Sequence, residues 1–308
     1  MFTKTSRLVL LFATILWAFQ SKAQYTYYSE KTGDFSERSG LNLTLGATTF
    51  LGDLGGNQGT GKPFLKDFNS KTVRPLIGAS YSYFPVSWLS ISMGLNFTWV
   101  TGADSLIKIK TGHAAGRFER NLSFRSAITE LSSSIELYPL QILTNYKEAK
   151  IRPFVGAGIG LFHFNPKAQL YERQWFELQP LHLEGQGFAE YPDRKNYKRT
   201  QLYIPLCMGL KYKINENYYF SINTIFRKTF TDYIDDVSTT YINPKLFDKY
   251  LSRYDAILAK QLYYRGINNQ TPSVSSIRGS GSRDSYTSIA FTVTYLFDRS
   301  EDYYFHKP

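Results

Sequence analysis

Few residues in this chain have the types and spacing that chemistry needs. The densest group is Asp232, Asp235 and Asp236, three carboxylates within five residues of TDYIDDVS (231–238). Such a run can offer the oxygens that a hard cation like Ca²⁺ takes, and it can equally cap turns and the start of a following helix. A second place is the segment from Trp175, Glu177 and Pro180 to His182 and Glu184, ahead of Gly185, Gln186 and Gly187. One histidine beside carboxylates matches no closed metal site. A third is TTFLGDLGGNQGTGKP (48–63), where Gly56, Gly61 and Lys62 fall at the spacing of a phosphate cradle. Pro63 stands where that cradle needs Ser or Thr at a helix start, so the stretch reads as a flexible loop. His163 has no Ser or Asp partner at a recognisable spacing, which leaves no nucleophile, base and orienter together. Cys207 is the sole cysteine and there are four histidines, which excludes disulfide scaffolds and multi-Cys metal sites. The sequence therefore assigns no catalytic residue, no cofactor and no metal, with Asp232, Asp235 and Asp236 as weak metal candidates.

The elements that would position these residues are strands. From Leu41 onward apolar residues alternate with small or polar ones, the period of a strand. Eight such segments stand out: 41–47, 77–83, 89–99, 130–137, 155–161, 203–212, 218–227 and 288–297. Short connections at 85–87, 141–149 and 213–217 alternate with long ones at about 51–72, 101–122, 165–199 and 229–285. Short turns on one side and long loops on the other is the plan of an outer-membrane barrel. The expected fold is all-β, an eight-stranded antiparallel transmembrane barrel over residues 41–298. The apolar alternate faces would meet lipid, and Glu130, Glu136, Lys211 and Arg227 would pair inside. A soluble β-sandwich also alternates, but its outer faces would carry Lys and Glu rather than this much Gly and Ser. Tyr83, Phe84, Trp88, Trp99, Tyr138, Phe162, Phe164, Tyr212, Tyr218, Phe226 and Phe297 lie near strand ends, where membrane girdles sit, and His163 reads as a girdle residue. Pro205 inside a strand suggests a bulge.

The last long loop carries the one helix. Asn243 and Pro244 are a good start, and Leu246, Tyr250, Tyr254, Ile257, Leu258 and Leu262 hold a period of about 3.6 as far as Arg265 and Gly266. Residues 266–285, rich in Ser, Gly, Asn and Arg, read as a mobile stretch.

The address is written at the start. Lys4 and Arg7 precede the apolar run 8–19, and Ser21 and Ala23 stand at small-residue cleavage positions. This is the pattern of a signal peptide over 1–23, with a core too short to span a bilayer. Residues 24–40 would form a periplasmic segment and 299–308 a tail. The 308-residue chain has a formal charge of +11; losing a leader with Lys4, Arg7 and Lys22 leaves +8. An exported basic chain meets anionic lipid or a protein partner rather than nucleic acid. Aromatic residues make up 17% of the chain, although its mean hydropathy is only −0.30. Inward polar faces and outward aromatic ones account for both.

The stretches TTFLGDLGG (48–56), RNLSFRSAITELSSSIELYPL (120–140), RPFVGAGIGLFHFNPKA (152–168), ELQPLHLEGQG (177–187) and TFTDYIDDVSTTYINP (229–244) resemble the PorG-like outer-membrane barrel family of Bacteroidota. The motif loops carry the resemblance: Asp232, Tyr233, Asp235 and Asp236 in one, Glu184, Gly185, Gln186 and Gly187 in the other. The family implies an outer-membrane barrel, a non-enzymatic accessory of the type IX secretion and gliding machinery beside a periplasmic ring of PorK and PorN. On that reading, Lys147 and Lys150 in the 141–149 turn region and the segment 24–40 would face the ring subunits. A surface barrel that binds or adheres through its long loops is the alternative, and a lipid-modifying enzyme a more distant one.

Overall fold

The structure, a computed structural model, describes residues 38–54, 70–107, 113–142, 149–170, 174–266 and 272–297. The alternating segments form long strands: β1 (Arg38–Leu51), β2 (Arg74–Val86), β3 (Leu89–Ala103), β4 (Ser123–Leu137) and β5 (Ile151–Leu170). A short β6 (Gln174–Glu177) folds back on the end of β5, and β7 (Thr200–Lys213), β8 (Tyr218–Thr229) and β9 (Ser285–Leu296) complete the set. Consecutive long strands pair antiparallel, β5 passes directly to β7, and β9 returns to β1. The eight long strands thus form a closed up-and-down barrel, as expected, with no free edge in the wall. The barrel begins at Arg38, so the last three residues expected in the periplasmic segment belong to β1; residues 1–37 and 298–308 lie outside the described residues.

The register puts the two sequence periods on opposite faces of the wall. Leu43 stands opposite Ala79 and Val293, whereas Thr44 stands opposite Gly78 and Thr292. Around the outside, Leu43, Ile77, Met93, Ile135, Ile159, Met208, Ile222 and Phe291 are between 42% and 66% exposed. A sandwich would bury this set; an apolar band on a closed barrel has lipid as its solvent. Among the described residues no helix is long and apolar enough to cross a membrane.

The interior is filled rather than open. At mid-height Arg227 Nε lies 2.9 Å from Glu130, and the Tyr286 hydroxyl donates to the same carboxylate at 2.8 Å. Lys211 lies 3.5 Å from Glu136 and donates to the Tyr138 hydroxyl at 2.6 Å, which in turn donates to Glu136 at 2.6 Å. These are the inward pairs expected from the sequence. Ser, Thr, Asn and Gly residues beside them line a polar cavity of about 100 Å³.

Aromatic plugs close the barrel above and below this layer. At the short-turn end Phe84, Tyr138, Phe154, Tyr219 and Leu296 pack together. At the long-loop end Phe162, Phe164, Tyr203 and Tyr286 join Phe50, Phe124 and Ile128. This corrects the girdle assignment. Tyr83, Trp88, Tyr212, Tyr218 and Phe297 do face outward, and Trp99 and Phe226 are half-buried. Phe84, Tyr138, Phe162 and Phe164 are buried inside. Nearness to a strand end was the wrong criterion, because each of these four continues the inward register: Phe162 and Phe164 follow Gly156, Gly158 and Gly160 on β5. His163, one position off, is exposed as expected and bonds Thr200 Oγ1 at 2.9 Å.

The bulge expected at Pro205 does not form. Pro205 pairs with Arg227 in an unshifted register. On the other side the ladder to β5 stops at Leu206 and resumes at Tyr203 without a slip. The missing N–H is met by leaving that rung unpaired, not by adding a residue.

Candidate functional site

The two motif loops meet above the barrel mouth, where four long loops are bonded into a lid. Its helices are α1 (His113–Arg120), α2 (Lys245–Tyr250) and α3 (Arg253–Tyr263). The helix expected after Asn243 and Pro244 is present but broken at Leu251 and Ser252. Ser252 caps the second half, its Oγ accepting from the Asp255 amide at 3.1 Å. Of the expected stripe, Leu258 and Leu262 are buried and Leu246 and Tyr250 pack against the same cluster, with Phe247, Ala256, Ala259, Leu181, Leu183 and Phe188, while Tyr254 and Ile257 point out.

Glu184 is the centre of the lid. Its carboxylate is fully buried and accepts from the Ser238 amide (2.9 Å), the Thr239 amide (2.9 Å) and the Thr239 hydroxyl (2.8 Å). Arg278 Nη1 adds a charged bond at 2.9 Å. The neighbours in the motif make this geometry possible. Gly185 and Gly187 have φ of 73° and 81°, a region that glycine enters without strain. Gln186 Oε1 accepts from the Glu184 amide at 3.1 Å, and Arg194 donates to the Glu184 and Thr240 carbonyls at 2.7 and 3.0 Å.

From Glu184 the chain of bonds runs through all four loops. Arg278 donates to the Asp236 carbonyl at 2.5 Å, and Arg120 donates to the Arg278 carbonyl. Arg120 also grips Asp104 with two nitrogens, at 2.7 and 3.2 Å, and reaches the Asp53 carbonyl at 2.9 Å. Asp104 closes the second loop on itself by accepting from the Leu122 amide at 3.0 Å.

TDYIDDVS is threaded through this network. Tyr233 stacks on Tyr197 with ring centroids 4.6 Å apart, and the Tyr197 hydroxyl donates to Asp236 Oδ1 at 2.7 Å. Asp235 accepts from the amides of Leu54 (3.2 Å) and Val237 (3.0 Å), tying the first loop to the fourth. Asp284 accepts from the Ile234 amide at 2.9 Å. Burial pushes the Asp232 carboxyl up to about 8, with Asp53 and Glu184 adding to the shift, and the Asp236 carboxyl up to about 7 against the pull of Arg278 and the Tyr197 hydroxyl. Burial, then the neighbouring carboxylates, raise Asp235 and Asp284 well above the ordinary range. Among the described residues no group of three or more His, Cys, Asp or Glu side chains could hold a metal ion. Asp235 and Asp236 act as caps and anchors through these bonds. His182 lies against Phe188, and burial lowers its pKa.

Asp104, Arg120, Tyr197 and Arg278 escaped sequence reading. Nothing near them repeats or caps, and the residues they bond lie up to 158 positions away. Residues 272–284 are not the loose stretch expected: Arg278 and Asp284 within them are buried, and Ser280 donates to Asp53 through its amide (2.6 Å) and hydroxyl (2.5 Å). At the opposite end Lys150 is exposed beside the Lys213 amide that bonds its carbonyl at 2.7 Å; Lys147 lies outside the described residues.

Solved structures similar to this chain include the outer membrane protein OprG from Pseudomonas aeruginosa (10% identity, TM-score 0.38, covering 87% of this chain and 100% of that one). Neisserial surface protein A (8%, 0.36, 85% and 98%) and Ail, the attachment invasion locus protein of Yersinia pestis (6%, 0.37, 85% and 99%), are others. At these scores the likeness adds nothing to the strand pairing described above. No curated protein matches the sequence. The family described as a domain of unknown function, DUF6089, has a model that matches residues 39–247, from the first strand to the second helix of the lid, and the chain belongs to it.

Proposed function

We propose that this protein is a non-enzymatic accessory or scaffold of the type IX secretion and gliding machinery, of the PorG-like kind, placed in the outer membrane after its leader is removed. The short-turn face, with Lys150 exposed on it, would meet periplasmic ring subunits of the PorK and PorN type. The observation that carries a scaffold role is the sealed interior: two aromatic plugs and paired charges fill the barrel, which suits a wall-mounted anchor better than a conduit. The resemblance of the motif loops supplies the machinery. Affinity isolation of the tagged full chain from outer membranes is expected to bring PorK and PorN with it, and deletion to impair secretion. Recovery without any ring subunit together with normal secretion would sink the proposal.

A second reading has an observation of its own. Tyr254 and Ile257 on α3 are 65% and 50% exposed, and Ile277 is 76% exposed, so the outside of the lid presents apolar side chains to an aqueous space. If the protein binds a surface partner, Tyr254→Ser with Ile257→Ser and Ile277→Ser abolishes that binding and leaves secretion intact.

A further inference from the structure

On the lid side of β3 to β7 the apolar band ends in a group of cations that the lid network does not use. Trp99 on β3 stands opposite Ala127 on β4. One outward step further on, Arg125 stands between Thr101 on β3 and Lys167 on β5. Arg125 is exposed on the wall, with its guanidinium 5.5 Å from the Trp99 ring and 5.6 Å from the Trp175 ring. Such contacts favour a cation and hold it in one orientation. Glu177 bridges the other two cations, lying 3.2 Å from Lys167 and 2.9 Å from Arg199, and accepts from Asn165 at 2.8 Å. One carboxylate against Arg125, Lys167 and Arg199 leaves two positive charges in surplus.

Height decides what meets that surplus. Two residues advance about 7 Å along a strand, and strand tilt reduces this to roughly 5 Å along the membrane normal. The Trp99 level is where aromatic residues mark the top of the hydrocarbon. Arg125 and Lys167 therefore stand at headgroup depth, with Leu161 and Leu202 on the apolar wall below them. A planar guanidinium fixed between two indoles presents its remaining donors as a fork, the geometry that phosphate oxygens accept.

We propose that Arg125, Lys167 and Arg199 form a site on the outer wall of the barrel for the phosphate of an outer-leaflet glycolipid, whose acyl chains lie along the band below. Trp99 and Trp175 orient the arginine, and Glu177 holds Lys167 and Arg199 side by side without cancelling the site. The site is independent of any secretion role and needs only the barrel in its membrane.

The test uses the full chain in detergent, presented with phosphorylated lipid A, the same lipid A without phosphate, and inorganic phosphate in excess as competitor, and read by native mass spectrometry. Retention of the phosphorylated lipid is expected to exceed that of the dephosphorylated one by about tenfold or more. Joint Arg125→Gln, Lys167→Gln and Arg199→Gln substitution is expected to erase the difference while heat-modifiable gel mobility shows a folded barrel. Lys167→Gln alone, at a half-buried position on the wall, has to lower the preference by about threefold; this variant decides the matter if the triple one misfolds. Equal retention of both lipids, or an unchanged preference in the variants, overturns the proposal. Full displacement by inorganic phosphate overturns it as well, since the site would then hold the anion without the lipid.

Discussion

At the scale of single residues, Glu184 and the aspartates of TDYIDDVS divide the work of holding the lid. Glu184 accepts four bonds and neutralises Arg278 in a fully buried place. Glu184→Gln keeps the shape, removes the charge, and leaves Arg278 facing a neutral amide. Breaking one side of a buried pair costs about 3–5 kcal/mol, and the cost falls on the lid. Protease cleavage within 230–284 of the reconstituted protein is expected to rise steeply, with heat-modifiable mobility unchanged; cleavage equal to wild type would show that Glu184 is not the anchor. The aspartates set the pH dependence. Their ordinary value is 3.8, but Asp236 holds its proton to about 7 and Asp232 to about 8, with Asp235 and Asp284 also raised. Between those limits the folded lid binds more protons than the unfolded one, so its stability falls as pH rises. Asp53, Glu184, Arg120, Arg278 and Tyr197 face the same group. Hydrogen-exchange protection of 231–242 is expected to be greatest near pH 4 and to decline from there through pH 7 to 8. Asp235→Asn should flatten the decline, and protection that grows with pH would contradict the assignment.

At the scale of elements, the wall can be tested from outside. Leu43 is 66% exposed on β1, a position where a water-soluble protein accepts arginine at almost no cost. Facing lipid near mid-membrane, Leu43→Arg is expected to cost about 2–4 kcal/mol in folding titrations into bilayers. A change within about 0.5 kcal/mol would put water rather than lipid outside the wall. The strands were legible because one face must suit lipid and the other a narrow interior, and that demand repeats at every second residue. At Gly158 a Cβ would run into the Ser133 carbonyl, so even the glycines of β5 follow from the approach of β4. Parity was also in the sequence, and Phe84 and Phe162 could have been placed inside by counting from their own strands. The break at Ser252 was not legible, since Leu246 to Leu262 keep a helical period across it; it turns only Tyr254 and Ile257 of that stripe outward, and Ala256 and Ala259 are buried beside Leu258 and Leu262. The lid network was least legible of all. Arg120, Arg278 and Glu184 meet only because the barrel brings three loops to one mouth, and no local pattern records that.

At the scale of the whole molecule, the barrel behaves as three barriers in series: the short-turn plug, the charged middle layer, and the long-loop plug with its lid. Removing one barrier should admit a small molecule part of the way and let nothing through. Cys207 is the reporter for this. It lines the polar cavity and packs against the short-turn plug, and it is the sole cysteine of the chain. In the intact protein a small charged thiol reagent is expected to leave Cys207 unmodified, and planar-bilayer recordings to show no conductance. Joint Phe84→Ala and Phe154→Ala substitution removes two buried rings of the plug, at a cost of about 3–5 kcal/mol each, so folding has to be confirmed by heat-modifiable mobility. In the folded variant Cys207 should become reactive from the short-turn side only, while conductance stays absent because Phe162, Phe164 and Tyr286 still close the far end. Reaction from both sides, or conductance after opening one plug, would mean that the interior is a continuous channel, and the case for a sealed scaffold would fail with it.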